Sequence, residues 1–427
     1  MKNIEVPALA RVEGEGALYI RLKDGSIAEV ELNIYEPPRF FEGFLQDRYF
    51  QEVPDITARI CGICPVAYQM SSVQALESAL GVQISAQTRA LRRLLYCAEY
   101  IESHALHIYL LQGPDLLGHE SALTLAEVAP DVVKNALRLK KVGNDLLKAI
   151  GGRSVHPVNT CVGGFYRWPD LKNIQDQIPG LEWALQASLD TVRFASGLKY
   201  PDFEMDYEFV ALTRPDEYAI YDGDILSSTG NRITTNEFEN SYIETHVRHS
   251  NALHSHTSAN ETYFVGPLAR LNLNYEMLRP VARTAAEESG LQLPLKNPFK
   301  NLLARAIELV EVCDAAIELA KSYSPEGPSF APITVKEGQG AGASEAPRGL
   351  LYHRYIVDEQ GMIRFAKITP PTAQNFAQME ADLWKYAPSV IDLPHEEATL
   401  ACEHLVRSYD PCISCATHFL KLNIDRD

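Results

Sequence analysis

The amino-acid sequence predicts a mainly α-helical protein with several β-hairpins, an α+β fold. Between residues 65 and 199, apolar residues recur at steps of three and four, which is the period of a helix with one buried face. Residues 17–34 and 350–368 instead contain paired strand-like runs around turn sequences. The chain has 427 residues, of which 46% are hydrophobic and 22% are charged, so it can build a large core.

The N-terminal half is expected to begin with a hairpin and to continue with helices. Alternating runs at residues 17–22 and 27–32 flank an Asp24-Gly25 turn. The first long helix is expected to begin at Pro65, because proline suits the first helical position, and to end before Gly81. The helical pattern continues over residues 91–108 and 137–150.

The C-terminal half alternates between the two patterns. Its character is mixed over residues 205–275, helical near residues 275–289, 301–322, 372–386 and 396–407, and hairpin-like over residues 350–368 with a turn at residues 358–361. Asp410-Pro411 is expected to end the last helix, because a proline disfavours helical geometry in the residue that precedes it.

No linker is long enough to separate independent domains, so one domain spanning residues 1–427 is expected. Its parts are a hairpin-rich part (1–54), a helical part (55–200), a mixed part (201–275), helices with a hairpin (276–407), a C-terminal motif (408–418) and a tail (419–427).

Net charge disfavours two classes of partner. The chain has 39 basic and 56 acidic residues, a formal net charge of −17, which repels phosphate backbones and anionic lipid. No run approaches the roughly 18 apolar residues of a membrane-spanning helix, and the first residues lack the apolar segment of a secretory signal. We therefore expect a cytoplasmic protein that binds no nucleic acid and inserts into no membrane.

The most informative feature is a pair of C-x-x-C motifs near opposite ends of the chain, Cys61/Cys64 and Cys412/Cys415. Two such loops can hold a soft or borderline ion such as zinc, iron or nickel with four sulfurs. A structural zinc site, a redox-active dithiol and two unrelated loops are the alternatives that spacing alone leaves open. The remaining cysteines are expected to be small buried hydrophobic residues; they are Cys97, Cys161, Cys313 and Cys402.

Residues around both pairs resemble the large, catalytic subunit of nickel–iron hydrogenases. The two motifs are Arg-x-Cys-Gly-x-Cys at residues 59–64 and Asp-Pro-Cys-x-x-Cys-x-x-His at residues 410–418. Further segments occur in the family's order: Arg11-Val12-Glu13-Gly14, Glu42, Val265-Gly266-Pro267-Leu268-Ala269-Arg270 and Glu345-Ala346-Pro347-Arg348-Gly349. The resemblance spans the whole chain and implies a hydrogenase large-subunit fold, with a metal site closed by the terminal segments. The chain's short length is similar to that of the soluble, cofactor-coupled type.

The resemblance implies a function and a set of metal ligands. The subunit would interconvert H₂ with protons and electrons at a nickel–iron centre whose iron carries carbon monoxide and cyanide. Cys61 and Cys412 would be terminal nickel ligands, and Cys64 and Cys415 would bridge nickel to iron. Thiolate sulfur suits both metals, but four thiolates carry four negative charges, so cations are expected nearby.

The resemblance also assigns roles to residues that do not bind metal. Arg348 would lie over the metal pair and stabilise charge as H₂ splits, and Arg59 is the second candidate cation. Glu13 would pass protons between a terminal cysteine and solvent. Pro347 and Thr372 would contact the cofactor, Thr372 through a hydrogen bond to an iron-bound cyanide, although Thr372 also suits a helix N-cap.

A second metal site and a processing step are implied at the C-terminal end. Glu42 and His418 would bind magnesium or iron, because a carboxylate and an imidazole suit either ion, although magnesium usually prefers all-oxygen shells. In this family a maturation protease commonly removes the residues after the last histidine, which here are residues 419–427. Cleavage would free a carboxylate on His418 and let the segment close the site.

Electrons must leave this chain through partners. The cysteines outside the two pairs are too scattered for a cubane cluster, which takes four. The resemblance implies an iron–sulfur small subunit and further diaphorase or electron-carrier subunits. NAD, NADP, a deazaflavin, ferredoxin and a disulfide reductase stay open as the acceptor. A non-catalytic relative of the complex I type and a structural Zn(Cys)₄ protein are the alternative functions.

Three other features are given less functional weight. Ser103-His104 stands where membrane-bound members carry Asp-His, so no carboxylate is expected beside Arg348, and His104 is expected to be structural. The glycines of residues 338–342 do not follow the dinucleotide-binding pattern. A cluster of histidines meets no spacing rule for zinc and is expected to be polar scaffolding or interface; its members are His246, His249, His254 and His256.

Overall fold

In the computed structural model, which describes residues 3–23, 26–119 and 121–417, helices form most of the regular structure. Proline begins five of the helices, because its missing N–H would be unpaired at that position in any case. The helices are α1 (Phe41–Leu45), α2 (Val53–Ala58), α3 (Pro65–Leu80), α4 (Ala86–Leu106), α5 (Gly113–Leu116), α6 (Ala122–Val128), α7 (Pro130–Gly151), α8 (Leu171–Gln175), α9 (Ile178–Ser196), α10 (Phe238–Ser241), α11 (Pro267–Asn274), α12 (Pro280–Glu288), α13 (Asn301–Ser322), α14 (Pro371–Val390) and α15 (His395–Ser408).

The strands form small antiparallel sheets. They are β1 (Ile4–Val6), β2 (Gly16–Lys23), β3 (Ser26–Ile34), β4 (Thr160–Cys161), β5 (Gly164–Phe165), β6 (Val210–Thr213), β7 (Asp224–Ser227), β8 (Arg232–Ile233), β9 (Tyr242–His246), β10 (Leu253–Thr257), β11 (Gly338–Ala346), β12 (Gly349–Val357) and β13 (Ile363–Thr369). Within the described residues, three sheets have three strands each, in the orders β1-β2-β3, β6-β7-β8 and β11-β12-β13, and two sheets have two strands each, β4-β5 and β9-β10. The predicted α+β class is confirmed.

The centre of the molecule is a bundle in which α3, α4 and α13 are almost completely buried. Both predicted ends of α3 are confirmed, because Pro65 is its first residue and Gly81 ends it with φ of 70°. The predicted helix at residues 301–322 is α13. One hydrophobic cluster extends from Ile4 to Ala416, so the two ends of the chain share a core.

Two parts of the sequence-based prediction need correction. The helix expected near residues 275–289 is broken, because Arg279 takes an extended conformation before Pro280, where α12 begins. Each predicted hairpin also has an additional strand, β1 in the first sheet and β11 in the last. The predicted turn at Asp24-Gly25 lies outside the described residues.

The glycine-rich segment at residues 338–342, which does not follow the dinucleotide-binding pattern, forms the first part of strand β11. This strand lies directly against helix α3. A Cβ added at Gly338 would lie 2.1 Å from the carbonyl oxygen of Ala79, and one at Gly340 would lie 2.2 Å from the nitrogen of Ala79. Only glycine permits this approach of two backbones. The contact matters for the site, because α3 begins directly after Cys64 and β11 leads into the turn that contains Arg348.

Among the residues that the structure describes, every helix is too short or too polar to span a lipid bilayer.

Candidate metal centre

The two C-x-x-C motifs meet in the interior, as the resemblance implied. The Sγ atoms of Cys61 and Cys412 lie 3.6 Å apart, although 351 positions separate them in the sequence. The sulfurs of Cys61, Cys412 and Cys415 all lie within 4.8 Å of one another. Cys64 adjoins this group and interacts with all three of the other thiols. All four side chains are buried, with exposed fractions of 1–2%.

Local backbone structure holds each pair. Cys64 is the N-cap residue of α3, and the Cys61 sulfur accepts hydrogen bonds from the backbone N–H groups of Ile63 and Cys64 at 3.4 and 3.3 Å. The second pair is held by a short 3₁₀ helix, Ile413–Thr417, and the N–H of Cys415 donates to the carbonyl of Cys412 at 3.2 Å. Both loops therefore present their sulfurs from tight turns.

Electrostatics favour a bound cation among these thiols. Hydrogen bonds from the neighbouring thiols, first that of Cys412, hold the pKa of Cys61 well below its usual range. Burial raises the pKa of the Cys412 thiol well above its usual range. A pocket this dry cannot carry four thiolate charges without a positive partner. Four sulfur donors are soft ligands, so the pocket fits a nickel–iron pair.

Glu13 reaches the cysteine centre from the N-terminal segment. Its Oε2 lies 3.0 Å from the Cys412 sulfur and accepts a hydrogen bond from the N–H of Ser414 at 3.1 Å. Its backbone carbonyl accepts from the N–H of Ile413 at 2.8 Å. Gly14 follows with φ of 89°, and a Cβ there would lie 2.7 Å from the Ile413 Cβ. Glycine at this position is what lets the two segments run side by side.

Arg348 interacts with the cysteine centre and is held by a carboxylate that was not expected. Its Nε donates to the carbonyl of Asp410 at 2.8 Å, and its Nη2 donates to Asp410 Oδ1 at 3.0 Å. Ser103 supplies no carboxylate to Arg348, but Asp410 of the C-terminal motif does. The Nη1 of Arg348 is buried and has no hydrogen-bond partner among the described residues, so one donor is left beside the cysteines.

The ionisation of Asp410 keeps this ion pair together. Burial acts to raise its pKa, but Arg348, His107 and Arg305 outweigh burial and lower the pKa below its ordinary value. Asp410 also has φ of 57°, a backbone conformation that turns the chain from α15 toward the cysteines.

Arg59, the other candidate cation, is wrongly assigned. Its side chain is 41% exposed and forms an ion pair with Asp55 at 3.2 Å. Asp55 lies in α2, and Arg59 is the C-cap residue of the same helix, one turn later. An arginine that points to solvent adds little to the charge balance of a buried centre. His104 is fully buried and its Nε2 lies 2.8 Å from Glu308, which fits the expected structural role.

Thr372 and Pro347 lie near the centre through contacts with its neighbours. The Thr372 hydroxyl accepts a hydrogen bond from the N–H of Cys412 at 3.0 Å, at the first turn of α14. The carbonyl of Pro347 accepts from Arg270 at 3.0 Å and from Arg305 at 3.3 Å. Thr372 is the second residue of α14, and Pro370 is the N-cap residue. The alternative that Thr372 is the helix N-cap is therefore wrong.

The second metal site is only partly within the described residues. Glu42 lies on α1, and its Oε1 accepts a hydrogen bond from the N–H of Ile368 on β13 at 2.9 Å. His418 and the tail at residues 419–427 lie outside the described residues.

Two residues that hold the centre together were not identified from sequence. Arg39 donates to the carbonyl of Ile60 at 2.8 Å and also to that of Ser414, so one guanidinium joins both cysteine loops. Asp115 on α5 pairs with Arg11, two residues before Glu13, and with Arg407 at 2.7 Å. Neither residue stands in a recognisable local motif, so only the long-range contacts reveal their role.

Comparison with known proteins decides between the alternatives that the cysteines left open. The sequence model of the family described as nickel-dependent hydrogenase matches residues 39–151 and 217–418. These residues include both cysteine pairs. The chain belongs to the nickel-dependent hydrogenase family. It is a hydrogenase large subunit, an oxidoreductase acting on H₂, and the structural-zinc and complex-I-type alternatives are set aside.

Individual relatives span this hydrogenase chain almost completely. Sulfhydrogenase 1 subunit alpha of Pyrococcus furiosus is 35% identical over 99% of the chain and 100% of its own length. NAD-reducing hydrogenase HoxS subunit beta of Cupriavidus necator is 27% identical over 98% of the chain and 95% of its own length. A solved NAD⁺-reducing [NiFe]-hydrogenase has the same fold, with a TM-score of 0.89, 24% identity and coverage of 98% of this chain and 100% of that one.

The Asp115 ion pairs of this hydrogenase subunit give a testable prediction of stability against pH. Burial acts to raise the Asp115 pKa, but the His404 imidazole and the Arg407 guanidinium outweigh it and lower the pKa to about 2. A lowered folded-state pKa stabilises the fold above the unfolded value near 4, and this contribution of about 2 kcal/mol is lost as the pH falls toward 2. Asp115→Asn is therefore expected to reduce the free energy of unfolding at pH 6, with a smaller reduction at pH 3.

Urea unfolding of the full chain at both pH values measures this difference. Asp131→Asn is the matched control, because the Asp131 side chain is 89% exposed and its pairing with Lys134 contributes little. If the Asp115→Asn variant were as stable as the Asp131→Asn control at pH 6, the Asp115 ion pairs would not stabilise the fold.

Proposed function

We propose that this chain splits H₂ reversibly into protons and electrons at a nickel–iron centre bound by Cys61, Cys64, Cys412 and Cys415. The observation that carries the proposal is the convergence of four buried thiols from both chain ends, with a carboxylate, Glu13, and a guanidinium, Arg348, interacting with them. Family membership supports nickel as one of the metals.

The four cysteines would divide the ligand roles by position. Cys61 and Cys412, the first members of each pair, would be terminal nickel ligands, and Cys64 and Cys415 would bridge to an iron that carries carbon monoxide and cyanide. When bound, the nickel–iron pair supplies the heterolytic cleavage of H₂ and takes up the electrons. Thr372 and Pro347 would line the pocket on the side of α14 and β11.

Glu13 would act as the proton relay. Its Oε2 lies 3.0 Å from the Cys412 sulfur, within reach for direct transfer of a proton between the thiol and the carboxyl group. The Glu13 side chain is half-buried, so it connects the buried sulfur with the outside of the molecule. The N–H of Ser414 fixes the carboxylate in this position.

Arg348 would place one positive charge against the centre. Asp410 fixes the guanidinium through two hydrogen bonds, and the unpaired Nη1 leaves a donor for the reacting atoms. Because the site is dry, a fixed donor of this kind stabilises developing charge more strongly than water does. An arginine cannot lose its proton here, so it supports charge without competing with Glu13 for the proton.

Electrons would leave through an iron–sulfur small subunit. Cys97, Cys161, Cys313 and Cys402 are buried and stand singly in the sequence, which supports transfer to a cluster on a partner. The relatives are alpha and beta subunits by name, which supports a heteromeric assembly with further diaphorase or electron-carrier subunits. We place this assembly in the cytoplasm.

Two further proposals concern the C-terminal end. Glu42 and His418 would bind magnesium or iron, which would fix the segment that follows Cys415. A maturation protease would remove residues 419–427 after nickel insertion. The family match that ends at residue 418 supports the position of this cut.

Cys415→Ser tests the metal assignment. The substitution removes a bridging sulfur, and a hydroxyl is a poor ligand for soft metals, so nickel content and H₂ oxidation are both expected to fall to background. Nickel is measured by mass spectrometry on the purified complex. Cys313→Ser is the matched control, because that buried thiol already lies 3.5 Å from the Ser188 hydroxyl, and it should keep both properties. Normal nickel content and H₂ oxidation in Cys415→Ser would overturn the assignment.

Glu13→Gln tests the proton relay. The amide keeps the size and the hydrogen bond to Ser414 but cannot carry a proton, so exchange between D₂ and water is expected to slow by about a hundredfold or more. Nickel content should stay at the level of the unmodified enzyme. Glu15→Gln, two residues along and exposed, is the matched control and should exchange normally. Equal exchange rates in the two variants would remove Glu13 from the pathway.

Intact-mass measurement on active, nickel-loaded enzyme tests the cleavage. The expected mass is that of residues up to His418. A mass that includes residues 419–427 in fully active protein would show that the tail is retained and that closure does not depend on a cut.

A further inference from the structure

The hairpin β9–β10 and helix α14 bring together two histidines and a glutamate outside the cysteine centre. The ligand atoms of His249, His254 and Glu380 all lie within 4.8 Å of one another. Glu380 stands eight residues after Thr372 on α14, about 12 Å along the helix from the end that contacts the cysteines. The group is therefore separate from the four-thiol pocket.

Linear spacing concealed this group because its third member is distant in sequence. His249 lies in the connection after β9 and His254 lies on β10, while Glu380 follows more than 120 residues later. Strand β10 packs against α14, which brings the carboxylate to the imidazoles. The expectation that these two histidines are scaffolding is therefore replaced by a more specific hypothesis.

The present contacts within the group are incomplete. Glu380 Oε1 lies 2.8 Å from His249 Nε2, a normal hydrogen bond. Glu380 Oε2 lies 3.7 Å from His254 Nδ1, which is longer than a hydrogen bond. The His254 side chain is 2% exposed, and its Nε2 has no hydrogen-bond partner within the described ranges. The nitrogen that faces Glu380 is Nδ1, so Nδ1 is the ligand atom that this geometry offers to an ion.

Charge in this region suits a cation. Burial lowers the pKa of His254 to about 4, so this imidazole is neutral near pH 7, which is the form that binds metals. The hydrogen bond with Glu380 and the negative charges of Glu380, Glu31 and Glu29 raise the pKa of His249, so an ion that binds there would displace a proton. The side chains of His249 and Glu380 are 20% and 18% exposed, so an ion has access from solvent.

We infer that His249, His254 and Glu380 bind one divalent transition-metal ion of the zinc type. Two imidazoles and a carboxylate form a donor set that zinc accepts with water in the fourth position, whereas magnesium prefers oxygen ligands alone. Ligands of a tetrahedral zinc lie about 3.3 Å apart, given metal–ligand distances of about 2.0 Å. The present distances lie on either side of this value, 2.8 Å from Glu380 Oε1 to His249 Nε2 and 3.7 Å from Glu380 Oε2 to His254 Nδ1.

The ion would join three parts of the chain. Glu380 Oε1 also accepts a hydrogen bond from the N–H of Leu32 at 2.8 Å, which ties α14 to strand β3. The loop between His249 and His254 is fixed to the same strand, because the N–H of Asn251 donates to the carbonyl of Ile34 at 2.7 Å. A metal ion here would therefore act as a cross-link between the N-terminal sheet, the β9–β10 hairpin and α14.

Zinc binding to the purified complex tests the inference. The complex is treated with EDTA, incubated with zinc sulfate and freed of excess ion, and zinc and nickel are then counted per chain. One zinc per chain is expected in the unmodified protein. In the double variant His249→Asn/Glu380→Gln, the loss of two ligands should lower zinc affinity by more than the roughly 100-fold that loss of a supporting group costs, so the zinc count should fall to background while nickel is retained.

His246→Asn is the matched control. His246 pairs with Leu253 across the hairpin, so it lies on the opposite face from His254, and this variant should bind zinc as the unmodified protein does. Absence of zinc from the unmodified protein, or equal zinc in the double variant, would overturn the inference.

X-ray absorption at the zinc edge of the unmodified protein gives a test that depends on no variant. Nitrogen and oxygen neighbours at about 2.0 Å with imidazole scattering are expected. Sulfur neighbours at about 2.3 Å would mean that zinc occupies the cysteine centre instead, and would overturn the site.

Discussion

The structure depends on one constraint, which is that four sulfurs from opposite ends of the chain must share a dry pocket. Thiolates at this distance repel one another and lose hydration on burial, so the pocket requires positive charge and firm backbone support. Arg39 supplies support by binding carbonyls of both cysteine loops, and Arg348 supplies charge on the side of β11. Neither pair could hold its position alone, because each loop contributes only two sulfurs.

The rest of the fold keeps these groups in register. Helix α3 begins at one cysteine loop, and strand β11 lies against α3 through glycines and leads into the Arg348 turn. Helix α15 ends just before Asp410, and Asp410 forms an ion pair with Arg348. Asp115 forms ion pairs with Arg407, near the end of α15, and with Arg11 in the N-terminal segment. Terminal segments that would fray in most proteins are therefore pinned by buried ion pairs. Removing one partner of such a pair leaves the other charge buried and unpaired, so each pair holds its segment in place.

Sequence reasoning succeeded where chemistry is local. Proline and glycine fix helix ends from their own backbone geometry, so both ends of α3 were predictable. The two cysteine pairs were recognisable from their spacing. It failed where a role depends on distant partners. Arg39 and Asp115 have no local signature, since their function follows from contacts across 375 and 292 positions. The broken helix before Pro280 shows the opposite error, a breaker residue that was given too little weight.

Helix α14 contributes to both groups of ligands, because its two regions lie against side chains of different chemistry. Its first turn lies against Cys412 in a pocket of soft thiols, and Glu380, two turns further, meets imidazoles near the surface. Four sulfur donors suit nickel, iron or zinc, whereas two imidazoles and a carboxylate suit zinc-like ions. Burial adds to this separation, because the thiol pocket excludes water while the imidazole group remains partly exposed. One helix can therefore contribute to two metal environments, which differ in the softness of their donors and in their access to solvent.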